Sequence, residues 1–260
     1  STSVSESGTT DTFTVVLNAQ PASNVVLSIS SSDSGEATTT SLLTFTSGNW
    51  NTAQTVTVTG VDDNIIDGTI NSTLTLAIVD AITDNNFDSV ADQTVSVATT
   101  DDDVAGFTIA QSGGSTSVSE SGSTDTFTVV LNAQPNSDVV LSITSGDTGE
   151  ATVTSSLTFT SGNWNSAQTV TVTGADDNII DGTITSTLTV AVNDGSSDNN
   201  FDPVANQTVA VTTTDNDVAG FTITQSDGST SVAESGTTDT FTIVLNAQPN
   251  SDVVLSITSG

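Results

Sequence analysis

Gln54-Thr-Val-Thr-Val-Thr-Gly-Val-Asp-Asp-Asn-Ile-Ile-Asp-Gly68 changes character at its middle. Val56 and Val58 alternate with Thr55, Thr57 and Thr59, the period-two pattern of a strand with one buried face. Branching at Cβ suits a pleated, half-buried surface, so Val and Thr favour it. After Gly60 the chain turns acidic, with Asp62, Asp63 and Asp67 close together. The same stretch returns at Gln168–Gly182, with Ala175 in place of Val61.

That return is one part of a larger one. Ser1-Thr-Ser-Val-Ser-Glu-Ser-Gly8 recurs at Ser115 and again, with Ala233 for one Ser, at Ser229; the spacing is 114 residues both times. About four in five residues match between the first two copies. Solenoid repeats run to roughly 20–50 residues, whereas this period is the length of a whole domain. Three tandem copies are therefore expected: residues 1–103, lacking the first strand segment; 104–217, complete; and 218–260, the N-terminal third only. A third of a domain cannot bury a core alone, so the natural chain is expected to extend beyond both ends.

Composition narrows the class. The 260 residues include no Lys, Arg, His, Cys, Met or Tyr, and 31 acidic residues give a net charge of −31. High net charge with few aromatics favours disorder, but the chain is 34% hydrophobic and its apolar residues keep a strict period. Without a basic residue there is no electrostatic footprint for nucleic acid or an anionic membrane. No apolar run approaches a transmembrane helix in length. Disulfides are ruled out, as are Lys–Asn cross-links. Catalysis is not expected, since carboxylates and hydroxyls alone remain for acid–base work.

Alternation runs through each copy, as in Phe13, Val15 and Leu17 or Leu74, Leu76 and Ile78. For the complete copy it predicts a first strand split between 106–111 and 116–119, then strands near 126–132, 139–144, 156–160, 168–174, 186–193 and 207–213. Turn-forming stretches separate them, including Ser-Gly-Asn-Trp-Asn and Asp-Asp-Asn-Ile-Ile-Asp-Gly. The predicted fold is all-β: tandem seven-stranded antiparallel β-sandwiches of immunoglobulin-like architecture.

Strands running alternately up and down gather alternate loops at one pole. In copy one that pole receives Glu6, Asp33, Glu36, Asp62, Asp63, Asp67, Asp101, Asp102 and Asp103. In copy two it receives Glu120, Asp147, Glu150, Asp176, Asp177, Asp181, Asp215 and Asp217, and copy three begins the same set with Glu234. Two unit charges at 4 Å repel by about 4 kcal/mol at an effective dielectric near 20, and the chain has nothing basic to offset this. Oxygen-only ligands suit hard divalent ions, and loops suit the flexible coordination of Ca²⁺ better than the octahedron of Mg²⁺. Zn²⁺ is disfavoured without Cys or His. Ca²⁺ is the expected cofactor.

The repeat resembles the Calx-beta domains over its whole length. The likeness rests on Val-Ser-Glu-Ser-Gly, Ser-Leu-Thr-Phe, Gln-Thr-Val-Thr-Val leading into Asp-Asp-Asn-Ile-Ile-Asp-Gly, and Thr-Thr-Asp-Asp-Asp-Val-Ala-Gly. It implies Ca²⁺ binding at this pole by Glu6, Asp33, Asp62, Asp63, Asp67 and Asp101–Asp103, with the carbonyl oxygen of Ile65, and of Ile179 in copy two, as a further ligand; Glu36 is added from its position alone. Gly68 and Thr69 stand where exchanger-type members carry more acids, and Asn216 replaces the acid at Asp102, which implies fewer or weaker ions. The phrasing looks most like the bacterial surface-protein branch. The expected function is structural: the repeat region of a long extracellular, cell-surface fibre or adhesin whose junctions Ca²⁺ stiffens. Further copies of the repeat would be its partners in cis, with lateral or head-to-tail self-assembly. A glycan- or host-surface-binding module is the alternative. Asp194, Asp198 and Asp202 are expected to face the junction from the following copy.

Overall fold

The computed structural model describes residues 2–260. Two compact units make up the chain: one runs to Ala105 and takes in Ala133–Asn136, and the other holds Gly106–Asn132 and Ser137–Gly260.

In the first unit the strands are β1 (Thr2–Ser5), β2 (Thr10–Val15), β3 (Val25–Ser31), β4 (Ala37–Thr39), β5 (Leu42–Phe45), β6 (Gln54–Gly60), β7 (Thr69–Ile78) and β8 (Gln93–Thr100). One sheet has the order β1-β8-β7-β3-β5 and the other β2-β6-β4. Val56, Val58 and Ala37 from the smaller sheet meet Val4, Leu27, Phe45, Leu74 and Val97 from the larger in one buried cluster. Thr55 and Thr57 point the other way. This is the sandwich that the alternation predicts, with outward Thr and inward Val on the same strand.

The second unit repeats the plan with β9 (Phe107–Gln111), β10 (Thr116–Ser119), β11 (Thr124–Leu131), β12 (Val139–Ser145), β13 (Ala151–Val153), β14 (Ser156–Phe159), β15 (Gln168–Gly174), β16 (Ile184–Val192) and β17 (Gln207–Thr214). Its sheets run β10-β17-β16-β12-β14 and β13-β15-β11-β9. The first strand is split as expected: β9 pairs with β11 in one sheet, and β10 pairs with β17 in the other. That second pairing is parallel, as is β1 with β8, so the sandwich is not wholly antiparallel. A parallel neighbour arises because the chain crosses from one sheet to the other before pairing.

The predicted strand at 156–160 forms as β14 and pairs with β12. Ahead of it lies an unpredicted strand, β13, which pairs with β15 in the other sheet. The three residues of β13 are too few to show a period, and Glu150 in front of them reads as a turn. Copy three forms only β18 (Phe221–Gln225) and β19 (Phe241–Leu245), paired as β9 and β11 are. The other two strands expected there, counterparts of β10 and β12, are not formed. In copy two these pair with β17, β14 and β16, and the 260 residues include no third-copy counterpart of those strands.

Among the described residues no helix is long and apolar enough to cross a membrane.

Phe127 and Phe241 occupy the same repeat position in different surroundings, 1% and 39% exposed. Phe127→Ala should cost about 3–5 kcal/mol, as buried Phe truncations do. Phe241→Ala should cost about 1 kcal/mol. Urea unfolding of the two variants checks the difference, and equal losses would contradict the packing described.

Candidate metal centre

In copies one and two the glutamates of the pole are turned inward by the backbone around them. β1 runs beside β8 up to the Glu6 N–H, which donates to the Thr100 carbonyl at 3.1 Å. Gly60, at the end of β6, lies against this point: a Cβ there would sit 2.0 Å from the Ser5 carbonyl oxygen. Gly174 is in the same position against Ser119, at 2.1 Å. Only glycine lets the strand close here, and the side chain that follows turns into the sandwich. Glu6 is 0% exposed and Glu120 is 1% exposed. Glu36 and Glu150 are held by their carbonyls, which accept from the N–H groups of Val61 and Ala175 at 2.9 and 2.8 Å. They are 6% and 7% exposed.

The aspartates come from the loops after β6 and β8, or after β15 and β17. Asp101 is a brace. Its Oδ2 accepts from the N–H groups of Asp67 (3.0 Å) and Gly68 (2.8 Å), and its Oδ1 from Asp103 (2.7 Å). Gly68 has φ of 79°, a left-handed conformation that few other residues tolerate. Asp215 does the same for Asp181, Gly182 and Asp217 at 3.1, 2.9 and 2.6 Å. These bonds hold its carboxyl below the usual range, with Gly182 the leading cause. Asp63 and Asp177 each accept from the N–H two residues on, Ile65 and Ile179, at 2.6 Å.

In copy one, carboxylate oxygens of Glu6, Glu36 and Asp67 lie within 4.8 Å of one another, as do those of Glu6, Asp63 and Asp103. In copy two the groups are Glu120, Glu150 and Asp181, and Glu120, Asp215 and Asp217, at the same separation. One buried glutamate is thus the shared vertex of two triads in each copy. Asp33, Asp62, Asp101, Asp102, Asp147, Asp176 and Asp177 are outside these groups. Asp33 and Asp147 shape their own turns by accepting from Gly35 and Gly149 at 3.0 Å. Asn216 donates to Asp176 at 3.0 Å, and its backbone N–H reaches Glu120 at 3.4 Å. Glu234 is exposed in the two-stranded third copy.

Asp198 belongs elsewhere. It is buried, and its carboxylate accepts from Ser137 and Asn200 N–H groups at 2.9 and 3.0 Å. Asp84 does the equivalent for Ala22, Ser23 and Asn86. Both tie two loops of their own copy together, and in copy two the loop so held is the one that follows Asn136. Its spacing after β16 looked like that of a free loop acid; the loop it pins was not visible in the sequence.

The electrostatics of the pole are unbalanced. Both oxygens of Glu6 are buried without a hydrogen-bond partner, and so is one oxygen each of Glu36, Asp103, Glu150 and Asp217. Burial, reinforced by Asp67 and Glu36, pushes Glu6 up to about 7. Burial also raises Glu36, Asp67, Asp103, Glu120, Glu150 and Asp217 above the ordinary carboxylate range. An unpaired buried carboxylate costs several kcal/mol, and the chain has no cation of its own. The donor set is oxygen only, the chemistry of a hard divalent ion.

No family model matches the sequence. No curated protein matches it either. Among solved structures, domains 4 and 5 of the S-layer protein SbsC are similar over 72% of this chain and 70% of theirs, at 18% identity and a TM-score of 0.35. The calcium binding domain CBD12 of CALX1.1 is similar over 73% of this chain and 76% of its own, at 14% identity and a TM-score of 0.31. CBD12 from CALX1.2 covers 81% of this chain and 96% of its own, at 11% identity and a TM-score of 0.32. At such values the fold rests on the strand pairing and core described above.

The raised carboxyls give a pH dependence of definite sign. An acid titrating near 4.5 when unfolded and near 7 when folded, as Glu6 does, binds more protons in the native state between those values. Stability is then greatest below about 4.5 and falls as pH rises through about 7. The melting temperature in chelator should decline across that window. A flat or rising profile would contradict the burial of these groups.

Proposed function

We propose that the chain is a Ca²⁺-binding structural repeat region of a long extracellular surface fibre or adhesin, of the bacterial surface-protein kind. The observation that carries this reading is Glu6: fully buried, both oxygens unpartnered, and shared by two acid triads in a chain without a single basic residue. The geometry repeats in copy two around Glu120. A cation in each triad, with the glutamate between them, would offset the charge that burial penalises. Ca²⁺ takes roughly 6–8 oxygens at 2.3–2.6 Å in adaptable geometry, which carboxylates on loops can supply with backbone carbonyls and water. Asp101 and Asp215, already engaged with three N–H groups each, shape the site as well as lending charge to it.

The function this supports is mechanical. Six residues, Asp101–Gly106, separate β8 from β9, and the first three are acidic. The equivalent Asp215–Gly220 leads from β17 into β18. A cation held at the start of such a linker removes slack from it. The reading assigns no catalysis: His, Lys, Cys and Tyr are absent, and the acids buried at the pole are read as ligands.

Ca²⁺ at a hundredfold excess over Kd should stabilise by about 2.7 kcal/mol per site. The melting temperature should therefore rise with Ca²⁺ over EGTA at fixed ionic strength. The double variant Glu6→Gln, Glu120→Gln separates the charge from the shape. It should melt higher than the parent in EGTA, because a buried charge has gone, and gain less from Ca²⁺. A parent indifferent to Ca²⁺, or a variant that gains as much as the parent, would refute the reading.

A further inference from the structure

The loop that carries Asp177 and Asp181 has a second partner. The Gln248 N–H donates to the Asn178 carbonyl at 2.6 Å, and Ile179 and Gln248 form an isolated parallel bridge. Gln248 belongs to copy three, just past β19, in the turn Ala247-Gln-Pro-Asn250. Ile180 lines a shallow cleft together with Ala247 and Pro249 of that turn. The first unit, which includes Ala133–Asn136, contains the same arrangement. Gln134 N–H donates to the Asn64 carbonyl at 2.6 Å, Ile65 bridges Gln134, and the Asn136 side-chain amide donates to the Ile66 carbonyl at 3.0 Å. A contact made twice with the same residues and the same length is a property of the repeat.

We infer that the Asp-Asn-Ile-Ile segment of each copy is a docking edge for the Ala-Gln-Pro-Asn turn of the following copy, and that docking and cation binding are coupled. The inference rests on the Ca²⁺ reading given above. Asn178 sits one residue from Asp177, whose carboxylate bonds Ile179, and three from Asp181, a member of the triad with Glu120 and Glu150. A cation drawing Asp181 toward Glu120 and Glu150 sets the loop that presents the Asn178 carbonyl. A docked Gln248 sets the same loop for the cation. Each must then favour the other by the same factor. The linker after β17, through Asp215 and Asp217, starts at the second triad, so the cation pole touches the next copy by two routes, one covalent and one docked. A copy with a docked successor should bind cations more tightly than one without.

Amide hydrogen exchange on the full chain tests this, with Ca²⁺ or EGTA as the only change and Ca²⁺ binding titrated in parallel. Exchange at the Gln134 and Gln248 amides should slow by about tenfold on adding Ca²⁺, within the usual range of such couplings, relative to amides in β15. Gln248→Pro removes the donated N–H. It should weaken Ca²⁺ binding reported by the Gly182 amide by a similar factor and leave that reported by Gly68 unchanged. The exchange measurement stands by itself if this variant disturbs β18 and β19. Ca²⁺ binding with unchanged exchange at both glutamines would overturn the coupling while leaving the Ca²⁺ reading intact. No Ca²⁺ binding in the titration would overturn both.

Discussion

A carboxylate buried without a counter-charge is the constraint around which each copy is arranged. Glu6 and Glu120 are among the largest wholly buried side chains in the chain, in company with Phe and Leu. Every other buried charge in a folded protein is normally met by a basic residue, a set of donors or a metal. Here the first is absent from the whole sequence, and for Glu6 the second is absent too. Protonation or a bound cation remains. Protonation serves an acidic solution; above about 7, where Glu6 loses its proton, a cation in the triads is the proposed answer.

The sandwich supplies what such a site needs. Its strands are rigid and apolar within, and they end together, so short loops deliver acids from distant parts of the chain to one place. Close approach at Gly60 and Gly174 turns the key glutamate inward. Asp101 and Asp215 fold the loop after β6 or β15 onto the end of the last strand by accepting its N–H groups. The acids are thereby held close before any ion arrives. On the proposed reading, a cation entering the pole would relieve their mutual repulsion, and stability would then depend on the ion.

Much of this was legible in the sequence, for identifiable reasons. Val56 and Val58 face inward as their alternation with Thr requires, and the split of the first strand at Ser112–Gly114 follows its glycines. The gathering of Glu6, Glu36, Asp63, Asp67 and Asp103 followed from strand direction alone. The parallel partner of β1 and the three-residue β13 were not legible, since neither pairing partner nor so short a period is written locally. Nor could spacing separate ligand from scaffold. Asp101 braces backbone, Asp33 makes a turn and Asp198 ties two loops, yet all three read as free loop acids until their N–H partners are seen. The inward turn of Glu6 had one available signal, the glycine that ends β6, whose meaning depends on a strand far away in sequence.

A crystal structure of the chain grown with Ca²⁺, with anomalous scattering to identify the metal, bears most directly on the central claim. The account predicts two Ca²⁺ peaks in copy two, one between Glu120, Glu150 and Asp181 and one between Glu120, Asp215 and Asp217, with the Glu120 carboxylate touching both. Glu120 and Glu150 found in contact through a shared proton, with no metal peak at either triad, would contradict it.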